Sequence, residues 1–223
     1  MSGASAEVMD DHAALCARDF HGHGTHCAGT VGGKQVGAAK RAQVIAVKIV
    51  HGWAAWSDVA KAYEYVIHQQ TVVHPNTRAL ISMSISSTDD ASSDSFLVRR
   101  AISKVLNNEG ARIGVGLFAA TQPLFDVGGI VTIVAAGNAG ENACDYFPSQ
   151  VADALTVGAT DYSDRMASFS NRGACVDIFA PGTATLRHDP TEISPVFLGS
   201  ASPCHPTRMP CTVLYFVRML SGR

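Results

Sequence analysis

The sequence predicts an α/β fold, a doubly wound and mainly parallel sheet with helices on both faces. Three observations predict it: β-branched runs of strand length, amphipathic stretches of helical period between them, and the alternation of the two through the middle of the chain. The run 43–50, Gln-Val-Ile-Ala-Val-Lys-Ile-Val, lies between Gly37 and Gly52 and reads as a strand buried on both faces. A helix is expected over 57–70, with Ser57 as N-cap, Asp58 in the first turn, and Val59, Ala62, Tyr63, Val66 and Ile67 as the inward stripe. Leu80 to Ile85 is a second strand. Ser93 to Asn107 is a second helix, with Phe96, Leu97, Ile102 and Val105 inward. Further strands are expected over 130–136, 154–157 and 175–179. Two stretches fall outside the pattern. The apolar segment Glu109–Asp126 stands where a short connection is expected. Beyond Arg187 the periodicity stops among Pro190, Pro195, Pro203, Pro206 and Pro210.

With 223 residues, 47% hydrophobic and 16% charged, the chain can bury one core. A net charge of −2 without a Lys/Arg run gives no basis for nucleic-acid binding. No apolar stretch reaches membrane-spanning length, so no membrane partner is expected. Met1 to Asp11 lacks the basic start and apolar core of a secretory signal. Six cysteines fit either thiols in a reducing compartment or disulfides in an oxidising one.

The densest chemistry lies in His21-Gly-His-Gly-Thr-His-Cys-Ala-Gly-Thr30, followed by Val31-Gly32-Gly33. Its small residues suit a loop turning into a helix that another backbone approaches closely. An imidazole fixed at such a helix start can act as a general base. A structural histidine and a metal pair are the alternatives, although the spacing matches neither H-E-x-x-H nor a cysteine-rich zinc pattern. A second candidate is Val134-Ala-Ala-Gly-Asn138, a strand end with a glycine turn and an amide. It reads as an ordinary turn or as a donor to a developing oxyanion.

Together, Gly22-His-Gly-Thr-His-Cys-Ala-Gly-Thr30 and the Ala-Ala-Gly-Asn ending at Asn138 resemble the subtilisin-like serine peptidases, the subtilase family, in its proteinase K-like branch. Asn-Ala-Cys-Asp-Tyr-Phe-Pro, Ala-Leu-Thr-Val-Gly-Ala-Thr, Ala-Ser-Phe-Ser-Asn and Cys-Val-Asp-Ile-Phe-Ala-Pro-Gly-Thr, all within 142–183, extend the resemblance. It implies that His23 is the catalytic base, His26 a packing residue and Cys27 a thiol beneath the histidine helix. Asn138 becomes the oxyanion donor, and Ala135, Ala136 and Gly137 border the substrate side-chain pocket. Ser84 and Ile85 lie where the family pairs an extended substrate as an added strand. This chain has Ser86-Ser87 where the family has two glycines, and their side chains would narrow the groove. The resemblance further implies a Cys144–Cys175 disulfide and a structural calcium at Asp177 with carbonyls near Ala152 and Ala154. No cofactor is required for the chemistry. A peptide or protein substrate, a monomer and an extracellular setting are expected.

The resemblance divides the chain into a divergent segment 1–18, a peptidase domain 19–187 interrupted by 109–126, and a non-matching tail 188–223. The fold is accordingly expected to be incomplete at both ends. The family orders its triad Asp, His, Ser, with the aspartate about 32 residues before the histidine. No Asp-Thr-Gly or Asp-Ser-Gly precedes His23, and Asp10, Asp11 and Asp19 lie too close to it. Asp19 instead resembles the aspartate shortly before the family's Gly-His-Gly-Thr. Gly-Thr-Ser-Met-Ala, the nucleophile signature, does not occur. Spacing places the serine about 157 positions after His23 plus about 18 for the insertion, near Ser200 and Ser202, which lack the helix pattern that should follow. Met219-Leu-Ser-Gly222 resembles the residues just before the family's nucleophile.

The expected function is therefore a serine endopeptidase domain, inactive as given. A catalytically dead peptide-binding module and a mis-assembled gene fragment are the alternatives. Without the family's aspartate strand and serine helix, apolar surface is left uncovered, and marginal stability follows.

Overall fold

The structure, a computed structural model, describes residue 19 and residues 22–49, 55–74, 77–88, 93–106, 129–183, 196–197 and 213–219. Helix α1 (His23–Gly32) leads into β1 (Ala42–Lys48). There follow α2 (Trp56–His68), which runs on through a π-helical turn over Gln69–Val73, then β2 (Arg78–Met83), β3 (Ser87–Thr88) and α3 (Ser93–Leu106). The remaining strands are β4 (Val131–Ala135), β5 (Tyr146–Phe147), β6 (Ala154–Thr160), β7 (Ile178–Pro181), β8 (Val196–Phe197) and β9 (Val213–Met219). Seven strands form one sheet in the order β7-β6-β4-β2-β9-β1-β8, and β3 pairs with β5 apart from it. All main-sheet pairings are parallel except those of β9, which runs antiparallel to both β1 and β2.

One face of the sheet is closed by α2 and α3. Val59, Ala62, Tyr63 and Val66 from α2 and Val98, Ile102 and Val105 from α3 pack with Ile45, Val47, Ile81, Met83 and Val134. The expected α2 stripe is the buried one. The buried Tyr63 hydroxyl donates to Thr132 Oγ1 at 3.2 Å, so the polar atoms there are paired. Trp56 meets the Phe147 ring edge-on at 4.5 Å between centroids, while the Arg99 guanidinium lies 4.9 Å from that ring.

The other face carries α1. Ala28 and Val217 form its centre, with Cys27, Val31, Ala42, Val44, Ala46 and Leu80 around them. The helix sits close because Gly32 is bare: a Cβ there would meet Val44 Cγ2 at 2.8 Å. Farther along this face, Val131, Leu155 and Ile178 remain 37%, 38% and 53% exposed. The register Ile133↔Leu155 and Val157↔Ile178 puts these side chains on one surface.

Several expectations are corrected. Helix α2 starts after Ala55, whose side chain cannot cap, so Ser57 is not the N-cap. In α3 the inward stripe is Ser95, Val98, Ile102 and Val105, while Phe96 and Leu97 are 61% and 45% exposed. The period was legible but the phase was not, because the stripe includes a buried serine and the two large apolar residues face out. Strand β7 begins at Ile178 rather than 175, since Cys175 is held in a disulfide. The tail contributes β8 and β9, and β9 lies mid-sheet. Its Val-Leu-Tyr-Phe-Val core follows the last of the prolines and has the β-branched and aromatic content of a strand. The 109–126 segment lies outside the described residues.

Two outcomes follow. Ile102→Ala should cost about 2–5 kcal/mol in urea unfolding, and Phe96→Ala should stay within about 0.5 kcal/mol. The purified chain should bind the apolar dye ANS and sediment more heavily with rising concentration; Leu155→Thr with Ile178→Thr should reduce both effects.

Candidate functional site

The first turn of α1 is fixed from outside the helix. Asp19 Oδ1 accepts the Gly22 N–H at 2.8 Å, while Oδ2 accepts both the N–H and the hydroxyl of Thr25 at 2.8 Å each. A carboxylate here satisfies free helix N–H groups and meets the positive end of the helix dipole. Gly22 turns the chain at φ 84°, and His23 follows as the first helical residue with an exposed ring. One turn later, Cys27 Sγ lies 3.6 Å from His23 Nε2. Burial raises the Cys27 pKa; the Ser84 side chain, hydrogen-bonded to the thiol, opposes the shift, and the nearby Asp19 charge adds to it. The thiol is thus held protonated, as a packing group against the imidazole rather than a nucleophile.

Ser84 links this helix to the carboxyl edge of the parallel strands. It is exposed just past the end of β2, whereas Ile85 turns toward the core beneath α2 and α3. Next to β2, β4 ends at Ala135. The Ala136 N–H continues the pairing to Val157 O at 2.9 Å, and the chain then turns at Gly137 with φ 106°. Ser86 Oγ lies 3.2 Å from where a Cβ on Gly137 would stand. Ala135 is half-buried, Ala136 and Gly137 are buried, and Asn138 is exposed. His23, Ser84 and Asn138 therefore share one edge of the sheet. Ser200 and Ser202 lie outside the described residues.

Behind this turn the segment 167–177 is laced to 136–144. Arg172 N–H donates to Glu141 O at 2.9 Å, and Ala143 N–H to Arg172 O at 2.7 Å. Cys144 and Cys175 form a disulfide with their Cα atoms 5.2 Å apart, closing a sequence separation of 31. The Asp177 carboxylate accepts the Thr156 N–H at 2.7 Å through Oδ2, while its own N–H donates to Thr156 O at 3.0 Å. No three His, Cys, Asp or Glu side chains converge on a metal position among the described residues. A cation at Asp177 would depend on one carboxylate and main-chain oxygens, fewer charged donors than a tight calcium site uses.

The "Subtilase family" profile matches residues 6–207. The chain belongs to the subtilase family. It is 41% identical over 170 residues to the subtilase-type proteinase psp3 of Schizosaccharomyces pombe, covering 75% of this chain and 32% of that protein. To the subtilisin-like serine protease Rho m 2.0101 of Rhodotorula mucilaginosa it is 37% identical over 173 residues, covering 75% and 43%. The chain thus spans about a third to under a half of the length of these relatives. Among solved structures, a cold-adapted subtilisin-like serine proteinase superposes with a TM-score of 0.50 at 31% identity, covering 73% of this chain and 49% of that one.

One residue of this subtilase site was not singled out from sequence. Asn171, fully buried, is bonded to both sides of the turn that carries Asn138. Its signal lay within Ala-Ser-Phe-Ser-Asn, but nothing in sequence order ties that stretch to a turn more than 30 residues upstream.

Reducing the disulfide, or replacing Cys144 and Cys175 by Ala, should lower stability by about 3–4 kcal/mol for a loop of this length, read as an earlier urea midpoint.

Proposed function

We propose that this chain supplies the peptide-binding and proton-transfer part of a subtilisin-like serine endopeptidase and does not complete turnover as it stands. What supports this reading is that Cys27, one turn after His23, meets Ser84 just past the end of β2, and that β2 pairs with β4, which leads into Asn138. An extended peptide would lie along Ser84–Ile85 and Ala135–Gly137, held by main-chain hydrogen bonds. Its scissile carbonyl would face Asn138. There a positioned carboxamide favours the negative charge that develops on the carbonyl oxygen, a donor whose loss costs about a hundred- to a thousand-fold in a complete enzyme of this kind. His23, exposed and on a capped helix start, would take the nucleophile's proton and return it to the leaving amine.

Two parts of that chemistry have no sequence counterpart here. Asp19, the carboxylate nearest His23 in sequence among the described residues, engages both oxygens in capping α1. The Gly-Thr-Ser-Met-Ala nucleophile motif is absent. Without the motif serine no acyl-enzyme forms, and without the motif aspartate the family's triad is incomplete. A dead peptide-binding module is the second reading, favoured by Ser86-Ser87 in place of the glycine pair. The Cys144–Cys175 disulfide supports an oxidising, extracellular setting. Calcium enters only as a weak structural ion at Asp177.

The test combines a fluorophosphonate probe, a fluorogenic peptide and peptide binding by fluorescence anisotropy. The expected result is saturable peptide binding, no labelling and no turnover above background. Labelling at Ser200 or Ser202, abolished by His23→Ala, would instead make the chain a working enzyme. Absence of peptide binding would remove the groove assignment.

A further inference from the structure

Asn138 stands exposed at the tip of a turn, and its own backbone gives no reason for its side chain to hold one direction. The groups around it are held chiefly by one buried residue. Asn171 Nδ2 donates to Ala136 O at 3.0 Å. The Asn171 N–H donates to Gly137 O, also at 3.0 Å. Its Oδ1 accepts the N–H groups of Ala139 and Glu141, each at 3.0 Å. The four contacts use two groups before residue 138 and two after it. Two further links, Gly140 N–H to Phe169 O at 2.8 Å and Arg172 N–H to Glu141 O at 2.9 Å, come from the segment that carries Asn171.

Gly137 lets the amide come this close. At φ 106° the backbone favours glycine, and a Cβ would run into the Asn171 amide nitrogen. Asn171 itself has 0% exposure and uses its N–H, Nδ2 and Oδ1 on this turn, so it has no solvent alternative for these bonds. Ser170, beside it, anchors the same segment to β6: its hydroxyl accepts the Ala159 N–H at 2.9 Å. The clamp is therefore mounted on the sheet rather than on another loop.

We infer that Asn171 is the positioning residue of the oxyanion donor: by holding the main chain on both sides of residue 138, it fixes the direction in which the Asn138 carboxamide faces the groove. A donor held in place before reaction need not reorganise as charge develops, and that preorganisation is where such a group obtains its effect. Asn171 touches no substrate and acts only through the turn. This inference builds on the role proposed above for Asn138, but the geometry it describes can be tested without catalysis.

The experiment is ¹⁵N–¹H NMR of the chain with Asn171→Ala and Asn171→Asp, following the Asn138 side-chain amide and the N–H groups of Ala139 and Glu141. In the wild type the Asn138 NH₂ pair should be dispersed and ordered. In Asn171→Ala it should collapse toward random-coil positions, with at least a tenfold loss of exchange protection at Ala139 and Glu141, while β4 and β6 amides keep their positions. Asn171→Asp is the milder variant and carries its own control. Ionised at neutral pH, its carboxylate keeps an acceptor for the two N–H groups but repels Ala136 O. Protonated on acidification, it regains a donor, so the wild-type Asn138 signal should return in Asn171→Asp and not in Asn171→Ala. An unchanged Asn138 signal in Asn171→Ala overturns the proposal, as does loss of dispersion across β4 and β6 together with the turn, which would make Asn171 a general fold residue. His23→Ala and the peptide-binding measurement test the peptidase reading separately and leave these signals where they are.

Discussion

The continuity of the main sheet depends on β9. Strands β1 and β2 run in the same direction but do not touch; the place between them is filled by Val213–Met219, paired along Ala42–Lys48 on one side and Arg78–Ser82 on the other. Remove that strand and two rows of backbone N–H and C=O groups lose their partners in the middle of a buried sheet, which water cannot easily restore. The half bearing α1, β1 and β8 would then be joined to the rest chiefly through side-chain packing. Its antiparallel direction sets β9 apart: parallel sheets of this architecture are normally continuous, each strand entering by a crossover helix.

The fit of β9 is uneven. Val217 is buried against Ala28 beneath α1, as the centre of an apolar contact should be. On the opposite face the neighbouring Arg218 reaches Gln43, yet its buried Nε and Nη1 find no hydrogen-bond partner among the described residues. A buried donor left unpaired costs about 1–3 kcal/mol, so one residue returns much of what its neighbour gains. The charge is felt nearby: partial burial chiefly, with Arg218 adding, lowers the pKa of His74 at the end of the π-helical turn. A mid-sheet guanidinium with no carboxylate partner among the described residues is a local conflict with the fold, and it falls on the strand that bridges the two halves.

Sequence patterning disclosed the repeating parts of this fold and missed those set by tertiary partners. Val59, Ala62, Tyr63 and Val66 could be read as a buried stripe because helical period and packing agree there. Phe96 and Leu97 misled because hydrophobicity alone cannot say which side of α3 faces the sheet, whereas Ser95, buried at 2% exposure, belongs to the inward stripe. The His23 and Asn138 motifs were legible as local strings, since their glycines mark the turns that each requires. The role of Asn171 was not: its four bonds cross 30 to 35 residues, and only the paired β4 and β6 bring those segments together. The pairing of β9 was hidden for the same reason. Its partners lie more than 130 positions upstream, and no local signal names them.

The candidate site is built from two frameworks that are rigid for separate reasons. On one side Asp19 caps α1 and so sets His23 at its start. On the other, Asn171 and the Cys144–Cys175 segment hold the turn at Asn138 to β6. Each can keep its local geometry if the other moves. Their separation is set by what lies between: the contact of Cys27 with Ser84, and the lateral run of the sheet from β1 through β9 and β2 to β4. Proton transfer and charge stabilisation demand fixed relative positions, and displacements on the order of an ångström can cost a hundred-fold in rate. The strand that carries the Arg218 conflict therefore falls between the two groups whose spacing the proposed chemistry most needs. A loosened β9 would leave the histidine helix and the asparagine turn each well formed, and still take the site apart.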